Sequence, residues 1–220
     1  MIYVLCGKKR VGKDTSATIL ESHGIVPVAL ADRLKGVLAI SSKDVDNDMY
    51  IRDKFYQDRM FAVGDREKAL PISNDGVVRL FEIAYQHVKG MSCLSNDAHF
   101  DKLVEKHVNR NVEPWTIRRL MQTFGTDIIC DIDNRIWVMY ALRRILGEDG
   151  NDFVITDCRQ PHEQAMLRKF GAKFIFINKD TGLVDNHSTE QGLIPQPDDV
   201  IVDNNGTIEQ LKNQLIEIMK

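Results

Sequence analysis

The chain has 220 residues, 43% of them hydrophobic and 28% charged, which is enough apolar surface for a full core and excludes a disordered or fibrous protein. Its 29 Lys and Arg stand against 32 Asp and Glu, a formal net charge of -3, so the molecule as a whole does not attract nucleic acid and any anion site must be local. The longest apolar runs are too short to cross a bilayer and the N-terminus has no signal-peptide pattern, so the expected setting is the cytoplasm, without membrane or nucleic-acid partners.

In chain order, residues 2–6 form an apolar run that predicts a buried strand. G-K-K-R-V-G-K-D-T follows from Gly7 to Thr15, and a helical pattern then covers 13–22. Strand, glycine loop and helix in this order are what a phosphate cradle requires. Gly7 and Gly12 allow a tight turn in which the N–H groups of Lys8, Lys9, Arg10 and Val11 point at phosphate oxygens, and the helix adds its positive end. Lys13 can bridge the β- and γ-phosphates, and the Thr15 hydroxyl is placed for phosphate or Mg²⁺. Asp14 stands where the commoner motif has Ser or Thr, which leaves the first metal ligand open.

A second strand is expected at 25–29 and a helix at 32–40. Asp32 and Lys35 at that sheet edge read either as a site for a phosphorylated acceptor or as a helix cap beside an exposed lysine. Residues 41–114 are long and polar and read as a mainly helical insertion, with an amphipathic helix at 77–88 whose stripe is core. In 116–124, helical spacing gathers Arg118, Arg119 and Gln122 on one face, opposite Ile117, Leu120, Met121 and Phe124. Gly125, Thr126 and Asp127 then read as a helix stop.

A helix at 135–146 precedes a strand at 153–156 that ends on Asp157, the usual place for a magnesium-holding carboxylate. Arg159, two residues on, has the planar fork suited to a migrating phosphoryl group. A helix at 161–170, strands at 174–177 and 200–202, and a helix at 208–219 complete the chain. The last helix has capping-box spacing at Thr207 and Gln210, directly after Asn204, Asn205 and Gly206. This alternation predicts an α/β P-loop NTPase fold, a parallel sheet flanked by helices. Cys6, Cys93, Cys130 and Cys158 have neither C-x-x-C nor zinc-ligand spacing and read as reduced thiols. A homodimer is compatible with either 77–88 or an exposed part of 135–146 as its face.

The G-K-D-T loop, the R-R-L-M-Q-T-F-G-T-D run from Arg118 to Asp127, Ile136-Trp137-Val138 and T-D-C-R-Q-P-H-E from Thr156 to Glu163 together resemble phage deoxynucleoside monophosphate kinases. D-N-H-S-T-E-Q-G-L from Asp185 to Leu193 and D-N-N-G-T-I-E-Q-L near the end carry the same likeness; about 43–112 does not share it. The resemblance implies a single kinase domain, with core at 1–40 and 115–220, five parallel strands, an acceptor-binding insertion at about 41–114 and a lid at about 178–198. It implies ATP and Mg²⁺ as cofactors and a nucleoside monophosphate as acceptor, in the host-cell cytoplasm if the chain is phage-encoded. Gly7 to Thr15 would hold the ATP phosphates, Arg118 and Gln122 would meet the acceptor, Arg159 would support transfer, and Asn204 to Gly206 would lie near the adenine. Lys179 and His187 are the cations of the lid, which has no arginine. Another phosphorylated acceptor, such as dephospho-coenzyme A or phosphomevalonate, and a nucleotide-dependent switch are the alternatives; against the switch, the chain lacks a guanine-reading N-K-x-D run at a strand end.

Overall fold

A computed structural model of the chain describes residues 1–8, 10–45, 66–90, 96–180 and 193–219. The strands are β1 (Ile2–Cys6), β2 (Ile25–Val28), β3 (Asp152–Ile155), β4 (Lys173–Asn178) and β5 (Val200–Asp203). They form one parallel sheet in the order β2-β3-β1-β4-β5. All five expected strands are present, their ends within one residue of the sequence reading. The helices include α1 (Lys13–Glu21), α2 (Ala31–Val45), α3 (Asn74–Lys89), α4 (Asp97–Val104), α5 (Ile117–Gln122), α6 (Ile136–Leu146), α7 (Pro161–Lys169) and α8 (Ile208–Ile218).

The chain divides into two compact units, Met1–Leu30 with Val138–Lys220, and Ala31–Trp137. The first holds the sheet. Period-two alternation sends Val4, Cys6, Phe153, Ile155, Phe174 and Phe176 to one face, against Val138 and Leu142 of α6 and Leu167 of α7. It sends Tyr3, Leu5, Val154, Ile175 and Ile177 to the other, against Ile19 and Leu20 of α1 and Leu211 and Leu215 of α8. A strand that is apolar on both faces must be central, and β1 is. β2 contains Pro27, which lacks an N–H donor, and accordingly lies at the sheet edge.

The second unit is helical and wider than the 41–114 read from sequence, because α2 packs along α3 and belongs with it. Ser73 caps α3 by accepting from the Gly76 N–H at 3.2 Å. The stripe of α3 is buried from Val77 through Leu80, Phe81, Ala84 and Tyr85 to Val88, so it is core and not a dimer face. Phe81 meets Phe124 with ring centroids 5.0 Å apart, and Tyr85 stacks on Phe100 at 4.1 Å. α4 was not anticipated; its sequence is polar, and only Phe100, Leu103 and Val104 are buried.

One expectation is corrected. Gly125, Thr126 and Asp127 do not stop a helix: α5 runs on through a π-helical stretch, Thr123–Ile129, and a last α-turn, Cys130–Ile132. The glycine is there for space, since a Cβ on Gly125 would stand 2.5 Å from the Leu34 side chain. Its carbonyl accepts from the Trp137 indole N–H at 3.0 Å. The Thr207–Gln210 capping box forms as expected, and α7 opens on Pro161 with a second box between Gln160 and Glu163. Most of the expected lid, including His187, lies outside the described residues, as do Lys9 and Cys93.

Arg168 of α7 forms a bidentate pair with Asp199, just ahead of β5, at 2.8 and 2.6 Å, and its guanidinium lies 4.1 Å from the centre of the Phe174 ring. The Asp199 side chain is only 2% exposed. Burial opposes its ionisation, but the Arg168 guanidinium and the Gln196 N–H outweigh burial and hold the carboxyl below its usual value. Asp199→Asn is therefore expected to cost about 2–4 kcal/mol in urea unfolding at pH 7. Because the native pKa is depressed, this contribution is whole above about pH 4 and fades as pH falls through the native value. The variant should flatten that part of the acid limb; an unchanged acid limb would contradict the assignment.

Candidate active site

At the carboxyl end of β1 the chain turns through Gly7 at φ 140° and Gly12 at φ 101° into α1. Both conformations favour glycine, and space demands it as well. A Cβ on Gly7 would stand 2.5 Å from the Ile177 carbonyl oxygen, and one on Gly12 would collide with the Asn204 amide nitrogen. Arg10 also has positive φ, 64°, and is exposed at the loop's apex, as is Lys8. Among the described residues no side chain caps α1, so its first N–H groups remain directed at the loop. The Lys13 ammonium arches back over the loop and donates to the carbonyls of Gly7 at 2.6 Å and Lys8 at 2.7 Å. Ser16 is buried and donates to the Gly12 carbonyl at 3.0 Å, while Asp14 and Thr15 are exposed on the first turn.

Asp157 follows β3 directly. Its carboxylate accepts from the Leu30 N–H at 2.6 Å, tying the exit of β2 to that of β3. The next turn is set by Glu163, which accepts from the N–H groups of Arg159 at 2.8 Å and Gln160 at 2.9 Å and leaves the Arg159 side chain exposed. Burial pushes the Glu163 carboxyl above its usual range despite those two donors. Beneath the loop, the buried Cys6 and Cys158 thiols are in hydrogen-bonding contact. That contact, together with burial, pushes the Cys158 thiol far above the ordinary thiol range.

The donor chemistry fits Mg²⁺. The Thr15 hydroxyl and the Asp157 carboxylate offer hard oxygen donors, and among the described residues no three His, Cys, Asp or Glu side chains gather into a cage. A cation that takes one or two protein oxygens and completes its shell with phosphate and water suits such a set; zinc does not. In the turn after β5, Asn205 and Gly206 are exposed, whereas Asn204 is buried against the loop that joins β1 to α1.

In the helical unit a cavity of about 640 Å³ gathers Arg118, Arg119 and Gln122 with Glu67, His107 and Asp127. This is the size of a small-molecule pocket. Ile117, Leu120 and Phe124 are buried, which turns the polar face of α5 into the cavity. Thr116 caps α5 by accepting from the Arg119 N–H at 3.2 Å. The Arg118 Nε donates to Glu67, and Arg119 donates to Glu113 at 2.5 Å while lying 5.3 Å from the Trp115 ring centre. Burial pushes the Asp127 carboxyl up, against the pull of His107 and Lys106. Glu67, His107 and Glu113 were missed in the sequence because they lie in or beside the polar stretch, where acidic and basic residues read as solvated surface. In the sequence Asp127 reads as a turn residue. Asp32 is half-buried in the first turn of α2 and does not line this cavity. Lys35 is 4% exposed and engaged within the protein, so it is not the exposed lysine of the capping alternative.

A family model described as deoxynucleotide monophosphate kinase matches residues 1–215. The chain is 31% identical over 241 aligned positions to the deoxynucleotide monophosphate kinase of Escherichia phage RB69, covering 98% of both chains. It is 30% identical over 238 positions to the deoxynucleotide monophosphate kinase of Enterobacteria phage T4, covering 98% of this chain and 97% of that one.

Thiol chemistry offers a direct check on the floor of the loop. In the native protein at pH 7, Cys6 and Cys158 should resist alkylation, and both should label once denaturant is added, as read by peptide mass mapping. Rapid native labelling of either would contradict its burial.

Proposed function

The chain belongs to the deoxynucleotide monophosphate kinase family, and from that premise we propose how its residues move the γ-phosphoryl group of ATP onto a deoxynucleoside monophosphate. As a phosphotransferase of this family it acts on nucleotides; family membership does not favour the switch and the coenzyme or mevalonate kinase alternatives. The observation that carries the residue assignments is the turn at the end of the central strand. There two positive-φ glycines and an uncapped helix start surround Lys13.

On this reading the N–H groups from Lys8 to Thr15 cradle the β- and γ-phosphates, and Lys13 exchanges its loop carbonyls for phosphate oxygens. The acceptor's phosphate binds to Arg118, with Arg119 beside it, and Gln122 meets the rest of the nucleotide. An oxygen of that phosphate attacks the γ-phosphorus in line. The new P–O bond forms as the bond to the β–γ bridging oxygen breaks, and ADP leaves with the charge. A phosphate monoester is already a nucleophile, so no covalent enzyme intermediate is needed. Arg159, presented by the turn that Glu163 fixes, spreads the charge on the migrating group. Bound Mg²⁺, held by Thr15 and Asp157 on the protein side, would neutralise phosphate charge. Asn205 and Gly206 are the exposed residues for the adenine side.

The test is steady-state kinetics with ATP, Mg²⁺ and a panel of deoxynucleoside monophosphates, following the diphosphate product. Lys13→Ala and Arg159→Ala should lower kcat by two orders of magnitude or more, on the scale of about 10²–10³ for lost transition-state donors, with the fold unchanged by circular dichroism. Arg118→Ala should raise KM for the monophosphate more than KM for ATP. Wild-type rates in the Lys13 and Arg159 variants, or no diphosphate from any monophosphate, would refute the assignment.

A further inference from the structure

The turn after β5 carries two neighbouring amides that grip different segments. Asn204 is 8% exposed, and its Nδ2 donates at 2.7 Å to the carbonyl of Val11, 193 positions away. Its own N–H donates to the Asn178 carbonyl at 2.8 Å, which fixes Asn204 relative to β4. Asn205 points elsewhere: its Oδ1 accepts from the Asp180 N–H at 2.8 Å, and its Nδ2 donates to Asp203 at 2.6 Å.

The bond to Val11 has a geometric consequence. The Val11 carbonyl and the Gly12 N–H belong to one planar trans peptide, so their bonds point in opposite directions. Anchoring the oxygen on the Asn204 side turns the Gly12 N–H away from Asn204. Gly12 has no side chain to interfere, and the space a Cβ would take is filled by the same Asn204 nitrogen. A buried amide whose donor is spent on the loop backbone is poorly placed to read a base.

We propose that Asn204 is a positioning residue for the phosphate loop: by holding the Val11 carbonyl it aims the Gly12 N–H at the nucleotide's phosphates, and it does not contact adenine. This rests on the phosphate-binding reading of the loop given above and assigns Asn204 a different part in it.

The test uses the full chain and compares ATP, GTP and inorganic tripolyphosphate, a ligand with no base, by calorimetry. Asn204→Ala leaves the Val11 carbonyl without its donor and should weaken ATP and tripolyphosphate alike, by about tenfold. Asn204→Asp keeps the size but sets a carboxylate against that carbonyl, and should weaken both at least as much. The preference for ATP over GTP should not change. Asn204→Ser, which keeps a donor on a shorter arm, should fall between wild type and Ala, and it carries the comparison if Ala does not fold. Loss of ATP binding with tripolyphosphate unaffected would mean that Asn204 reads the base, and the proposal fails. A lower Tm with unchanged affinity for both ligands would mean a structural role only, and it fails again. Lys13→Ala separates the two layers: if it does not weaken tripolyphosphate binding, the phosphate-loop reading itself is wrong. If it does and the Asn204 variants do not, only the proposal falls.

Discussion

At Gly7 and at Gly12 the backbone passes so close to neighbouring atoms that a side chain is forbidden, and the organisation of the sheet unit follows from this. Gly7 passes beside the Ile177 carbonyl of β4, and Gly12 beside the Asn204 amide beyond β5. Two strands on one side of β1 therefore set the shape of the loop. That is possible only because β1 is the middle strand and its successors in the sheet lie in register with it. The cradle is a property of the assembled sheet, and the nine residues of the motif would not hold it alone.

The two candidate anion sites obtain their positive character differently. In the loop after β1 it comes from backbone N–H groups and the start of α1, which carry no formal charge, together with Lys13. In the helical unit it comes from guanidinium groups already held by carboxylates, Arg118 by Glu67 and Arg119 by Glu113. Those pairs are largely solvent-exposed on the carboxylate side. Exposed pairs are worth about 0–1 kcal/mol, so on the proposed reading a dianionic phosphate would exchange with them at little cost. They keep the arginines extended and aligned and cancel their field at a distance, which suits a protein with an overall charge of -3.

The strands of the sheet could be read closely from the sequence because the two signals involved are local: apolar runs of four to six residues, and a glycine loop between strand and helix; their order in the sheet came only from the structure. The polar face of α5 was legible for the same reason, since helical spacing alone puts Arg118, Arg119 and Gln122 together. What was not legible depended on contacts between distant parts of the chain. Gly125 looked like a helix stop, but the Leu34 side chain requires its missing Cβ, and the helix absorbs it through a π-turn. Asn204 looked like a loop residue near the base, and only the fold brings its amide to Val11. The carboxylates that meet the arginines come from segments whose composition gives no sign of a site.

The floor of the phosphate loop follows a rule of charge. The residue before Gly7 and the residue after Asp157 are both cysteines, buried in one apolar cluster. A small side chain is required where β1 and β3 end side by side beneath the loop, and an ionised group there would repel a triphosphate through a medium of low dielectric. Serine would bring a hydroxyl that needs a partner in an apolar cluster. A thiol fills the space without needing a partner, and that of Cys158, with its pKa driven up by the neighbouring Cys6 and by burial, stays neutral at any physiological pH. Glu163 follows the same logic at the rim: its raised pKa is the cost of desolvation, and the two N–H groups it accepts from offset that cost while they shape the turn carrying Arg159. Near the loop the Asp157 and Glu163 carboxylates are each held by backbone donors, whereas Asp14 stands exposed on the first turn of α1.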